Sequence, residues 1–118
     1  MSSVTNIILH WQSDFDIVEI ANRYFIEEEG APAGFRGLVS LSDAPHWYGG
    51  SKNLEANLAI GALNHLQLDR FIAYLHRLVP DPIPWWWVLQ LIVKEQEDDR
   101  FRIIEIPDQV ADEVNVAG

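Results

Sequence analysis

The polar and apolar positions divide this chain into seven segments. Val4 to Trp11 holds Ile7, Ile8 and Leu9 in succession, a short apolar run that reads as a buried strand. Ser13 and Asp16 then offer a helix start, with acids near the first turn as the helix dipole prefers. Ile17, Ile20, Ala21 and Tyr24 fall at i, i+3, i+4 and i+7, one face of an amphipathic helix. Gly30 is the natural left-handed cap after Glu29, and Pro32 blocks continuation.

Phe35 to Leu41 reads as a second strand centred on Leu38 and Val39, followed by a loop of turn residues from Ser42 to Ser51. From Leu54 to Leu68 the even positions are apolar except for Asn64. Period two predicts a strand there, with Gly61 as a bulge or turn. A helix is the competing reading, because the segment is rich in Ala and Leu at i+4 spacing. Asp69 is the expected N-cap of a second helix carrying Phe71, Ile72, Leu75, Leu78 and Val79, ended by Pro80, Pro82 and Pro84. Trp85 to Val93 reads as a strand with Trp87, Leu89, Leu91 and Val93 on one face. Glu95 to Arg100 is a polar turn, and Phe101 to Ile106 completes a hairpin.

This order predicts an α+β fold in a single domain over residues 1–118, with 107–118 as an acidic tail. Its first six elements follow the ferredoxin-like order βαββαβ, and a C-terminal hairpin strand is added. One mostly antiparallel sheet is expected in a single layer, with two helices on one face. The other face is then open to a partner.

Charge changes this picture more than composition does. Eighteen Asp and Glu against eight Lys and Arg give a formal net charge of −10. Such a field repels nucleic acid and anionic membrane, so neither is an expected partner. It attracts a basic protein and accelerates that association most at low salt. The chain contains no cysteine, which removes disulfide and thiolate chemistry and suits a reducing cytoplasm. The first residues lack a signal-peptide pattern, and no window has the ~18 apolar residues of a membrane span. A cytoplasmic location is the expectation.

Candidate chemistry is sparse. His10, His46, His65 and His76 form no short-range zinc spacing, and only His46 sits in a loop shaped like a site. Gly49-Gly50-Ser51-Lys52 fails the phosphate-loop pattern because Ser51 separates glycine from lysine. The carboxylates Glu95, Glu97, Asp98 and Asp99 lack the central Gly and closing Glu of a calcium loop, so a solvated hairpin turn accounts for them better. No Gly-x-Ser-x-Gly elbow occurs. No cofactor and no metal are expected.

The aromatic residues carry more information. Trp47 and Tyr48 lie in a loop bounded by Pro and Gly, and strand alternation turns Trp86 away from Trp85 and Trp87. Trp and Tyr are enriched in binding hot spots because they bury much area with little entropy loss. The leading expectation is a non-enzymatic acidic protein-binding module, an inhibitor or immunity-type partner of a basic effector such as a nuclease. Trp47, Tyr48 and Trp86 would anchor it, while Glu95, Glu97, Asp98 and Asp99 would pair with Lys or Arg on the partner. Two alternatives stand beside it. One is a homodimeric or larger assembly component pairing through the open sheet face; the other is a small hydrolase or isomerase using His46.

Overall fold

A computed structural model describes residues 3–43 and 48–107. Strands β1 (Val4–Gln12), β2 (Val39–Ser40), β3 (Leu58–Asn64), β4 (Val88–Glu95) and β5 (Arg102–Glu105) form one antiparallel sheet in the order β2-β3-β1-β4-β5. Helices α1 (Ile17–Glu29) and α2 (Leu68–His76) form the second layer. Each strand-helix-strand unit skips one position in the sheet, and a strand of the other unit fills the gap. This is the split layout that the element order predicts, with β5 added outside β4.

The core lies between the helices and the odd-numbered positions of β1, β3 and β4. Ile7, Leu9 and Trp11 of β1 and Leu89, Leu91 and Val93 of β4 are buried there with Trp87. They meet Ile17, Val18, Ala21, Tyr24 and Phe25 of α1 and Phe71 and Leu75 of α2. Asp16 caps α1 by accepting from the N–H groups of Val18 and Glu19, and Gly30 ends it at φ 75°. The buried stripe takes in Val18 and Phe25 and leaves Ile20 half-buried, a small rotation from the expected face.

Five local expectations need correction. First, α2 is capped by Gln67, which makes no side-chain cap bond, and Asp69 sits inside the first turn. The helix starts two residues earlier than an Asp69 cap would place it, so that Leu68 is buried, and Glu29 of α1 accepts the Gln67 N–H. Second, α2 stops at His76; Leu78 and Val79 continue as turns packed on the core. Third, the second strand shrinks to two residues, because Asn22 of α1 holds the backbone of Leu38. Its side-chain amide donates to the Leu38 carbonyl at 3.0 Å and accepts the Leu38 N–H at 2.9 Å.

Fourth, Gly61 is neither bulge nor turn: the β1–β3 register runs through it unbroken, with Gly61 opposite Ile7. A Cβ on Gly61 would run into the carbonyl oxygen of Gly37, so close backbone approach explains the residue. Fifth, β4 begins at Val88, since the Trp87 N–H donates to the Pro84 carbonyl in a turn. Residues 54–68 contain a strand, shortened to Leu58–Asn64. All but the first residue of the expected acidic tail lies outside the described residues.

Candidate functional site: the open sheet face

Alternation sends the even positions of β1, β3 and β4 away from the helices. The strand pairing then aligns them. Val39 pairs with Ile60, Ile60 with Ile8, Ile8 with Ile92, and Ile92 with Ile103. A row of five β-branched side chains therefore crosses all five strands on the uncovered face. Ile60 is 39% and Ile103 63% exposed; Val39, Ile8 and Ile92 are half-buried by their neighbours in the row. Phe101, itself exposed, joins Ile8, Ile60 and Ala62 around a shallow apolar depression of ≈ 390 Å³.

Polar rows flank this stripe. On one side Leu58, His10, Gln90 and Glu105 are in register. His10 Nδ1 stands 2.8 Å from Gln90 Oε1, and Gln90 Nε2 donates to the Glu105 carboxylate at 2.6 Å. With its amide oxygen accepting, Gln90 requires the proton on His10 Nδ1, which leaves Nε2 as the acceptor of the neutral ring. On the other side Ala62, Asn6 and Lys94 are in register, and Asn6 donates to the Lys94 carbonyl. Glu105 is the one acid in these rows and Lys94 the one permanent cation. In a chain of net charge −10, this face is close to neutral.

The residues singled out from the sequence scatter around this face. Trp47 and His46 lie outside the described residues. Tyr48 is half-buried, and its hydroxyl accepts the Leu54 N–H at 2.9 Å. Trp86 is half-buried against the core, whereas Trp85 is 95% exposed and is the outward-facing ring of that trio. Alternation misassigned them because these residues form a turn and not a strand. Trp87 is buried and donates its indole N–H to the Ile106 carbonyl at 3.0 Å.

The acid cluster forms the β4–β5 turn. Asp98 accepts the Glu95 N–H, Glu95 pairs with Arg102 at 3.6 Å, and Glu97 and Asp99 are exposed. Trp86 precedes β4 and Glu95 ends it, and the seven strand steps of ~3.3 Å from Val88 to Glu95 separate the two ends of β4 by roughly 23 Å. Tyr48 belongs to the connection into β3, at the Trp86 end of the sheet, since Leu58 pairs with His10 and Gln12 with Val88. The described aromatic residues, Tyr48 and Trp86, therefore do not share one patch with the acidic turn.

Other features are structural. Tyr24 donates its hydroxyl to Glu29 at 2.8 Å, and the same carboxylate oxygen accepts the Gln67 N–H, tying α1 to the start of α2. Burial pushes the Tyr24 phenol pKa well above its ordinary range, and the bond to Glu29 adds to that shift. An open groove of ≈ 680 Å³ between α1 and the β2 edge carries Arg23 and Arg36 alongside Asp14, Asp16 and Glu19, a mixed lining of no single charge preference. Among the described residues, no group of three His, Asp or Glu side chains is placed to hold a metal, and no buried side-chain polar atom lacks a partner. No described helix is long and apolar enough to cross a membrane.

Comparison with known proteins adds no relative: no family model matches the chain, and no curated protein or solved structure is significantly similar.

Proposed function

We propose that this protein is a non-enzymatic binding module whose working surface is the open sheet face, engaged by an apolar protein surface without net negative charge. The observation that supports this is the unbroken row Val39–Ile60–Ile8–Ile92–Ile103, set on a nearly neutral face of a strongly acidic chain. Soluble proteins seldom leave a contiguous apolar patch on one face unless something binds it. Depletion of charge at the centre with polar groups at the rim is also the composition of interface cores. Site-specific photocrosslinking in the native host tests the reading. A photoreactive residue in place of Ile92 should yield a discrete protein adduct, while one in place of Glu27, exposed on α1, should not. Equal labelling at both positions, or none at Ile92, refutes it.

A second reading is favoured by the charge itself. Glu19, Glu27, Glu28, Asp69, Glu97 and Asp99 are exposed outside the open face, and a basic effector such as a nuclease would be steered to that surface. The chain would then act as an inhibitor or immunity-type protein, with Tyr48 and Trp86 as anchors at one end of the sheet. Its binding would weaken steeply with added salt; salt-independent affinity counts against it.

A further inference from the structure

We infer that the partner of the open sheet face is a second copy of this chain, packed row on row about a two-fold axis that runs along the apolar row and passes over Ile8. This rests on the reading of that face as the working surface. Three observations on the face support the choice of occupant.

The first is the placement of Ile8. It is the middle residue of β1, and β1 is the middle strand of five, so Ile8 is the centre of the sheet. A two-fold interface uses the same patch twice, so overlap is greatest when the axis passes through the patch centre.

The second is area. Each strand residue covers ~16 Å² of sheet, from a rise of ~3.3 Å and a strand spacing of ~4.8 Å. About thirty strand residues therefore present roughly 480 Å² per copy, and two copies bury somewhat under ~1,000 Å² before Phe101 and the edges are added. That sits at the lower limit for a specific interface, so an off-centre arrangement is not affordable. Moving the axis by one residue along the strands displaces the copies by two rises, ~6.6 Å, and removes about a quarter of the overlap along the long strands β1, β3 and β4.

The third is charge. An axis along the row turns each row residue onto its own copy and lays the His10–Gln90–Glu105 row over the Asn6–Lys94 row of the other chain. The face's one acid row then meets its one base row, twice. Two chains of net charge −10 repel each other elsewhere, but this face presents no excess charge to oppose contact. A strongly basic partner would find little to pair with here.

Light scattering on the full chain tests the inference, with Ile8→Asp, Ile8→Lys and Ile92→Asp, Ile92→Lys as variants. The wild-type chain should weigh twice its 13.5 kDa at high micromolar concentration, and added salt should strengthen the dimer by screening like charge. Each single variant should be monomeric with unchanged circular dichroism, because positions 8 and 92 lie on the open face, and should melt without the concentration dependence of the wild-type dimer. Mixing the Ile8→Asp and Ile8→Lys chains should restore a heterodimer, and so should the Ile92 pair, since only a residue that faces itself across the axis is rescued by its charge opposite. A wild-type monomer at every concentration, a dimer that survives Ile8→Asp, or a lack of rescue at either position would overturn the arrangement. If the purified chain is monomeric while Ile92 still crosslinks to a different protein in the host, the second-copy inference fails and the open-face reading survives. Absence of any adduct at Ile92 sinks both.

Discussion

Replacing Asn22 with Asp exchanges one side-chain nitrogen for oxygen and leaves shape almost unchanged, yet it should loosen the β2 edge. Asn22 currently accepts the Leu38 N–H and donates to the Leu38 carbonyl from a half-buried position on α1. Asn22→Asp keeps the acceptor, removes the donor and sets a carboxylate oxygen against a carbonyl oxygen. A lost hydrogen bond alone costs ~1 kcal/mol net, and leaving its partner unsatisfied raises this to about 2 kcal/mol. With an unfolding entropy of ~2.1 cal/mol/K per residue, that loss lowers the melting midpoint by roughly 8 °C in a chain of this size. The penalty should depend on pH. In the folded variant the new carboxyl is held above its unfolded value of ~3.9, because its protonated form can donate to the Leu38 carbonyl. The destabilisation is therefore full above the folded pKa and disappears as pH falls below the unfolded one. Melts followed by tryptophan fluorescence should show the wild-type–variant gap at pH 7 closing as the solution is acidified. A gap under ~0.5 kcal/mol at pH 7, or one that widens on acidification, would refute the role given to this pair.

Two further outcomes follow from the packing. Gly61→Ala should destabilise by about 1–3 kcal/mol and release β2, because the added methyl meets the rigid Gly37 carbonyl and not a movable side chain. Amide exchange at Val39 and Ser40 should accelerate more than exchange in β4. Tyr24→Phe should flatten the alkaline limb of stability. The phenol's folded pKa is raised, so its contribution is complete below the unfolded value of ~10 and is lost as pH climbs above it. Unfolding monitored from pH 8 to about 11 should show a shallower decline in the variant, and an unchanged slope would count against the buried Tyr24–Glu29 contact.

Much of the architecture follows from local pattern. Asp16 and Gly30 bracket α1 because a side-chain acceptor and a left-handed glycine are requirements of helix ends whatever packs around them. The odd positions of β4 and the hairpin to β5 follow from period two and a polar turn. The order of elements narrows the topology to the split layout. Where local rules failed, a distant residue had intervened. Glu29 took the N–H of Gln67 at the head of α2, Asn22 took the backbone of Leu38, and Gly37 occupied the space beside Gly61. Each of these partners is far away in sequence, so no window could contain the competition.

The candidate site divides the same way. Ile8, Ile60 and Ile92 are visible as even positions in three apolar segments, and the chain's acidity is visible by counting. Their alignment into one row is a matter of register, and a slip of one residue in any strand would send its side chains to the other face. Likewise the sequence places Trp86 nine residues from Glu95, but only the length of β4 puts them at opposite ends of the sheet. What the chain alone determined was which residues favour burial and where helices begin and end, since those depend on neighbours a few positions away. Which apolar residues share a surface, and which charges stand clear of it, came from pairing between strands distant in sequence, because that is where the sheet's second dimension is made.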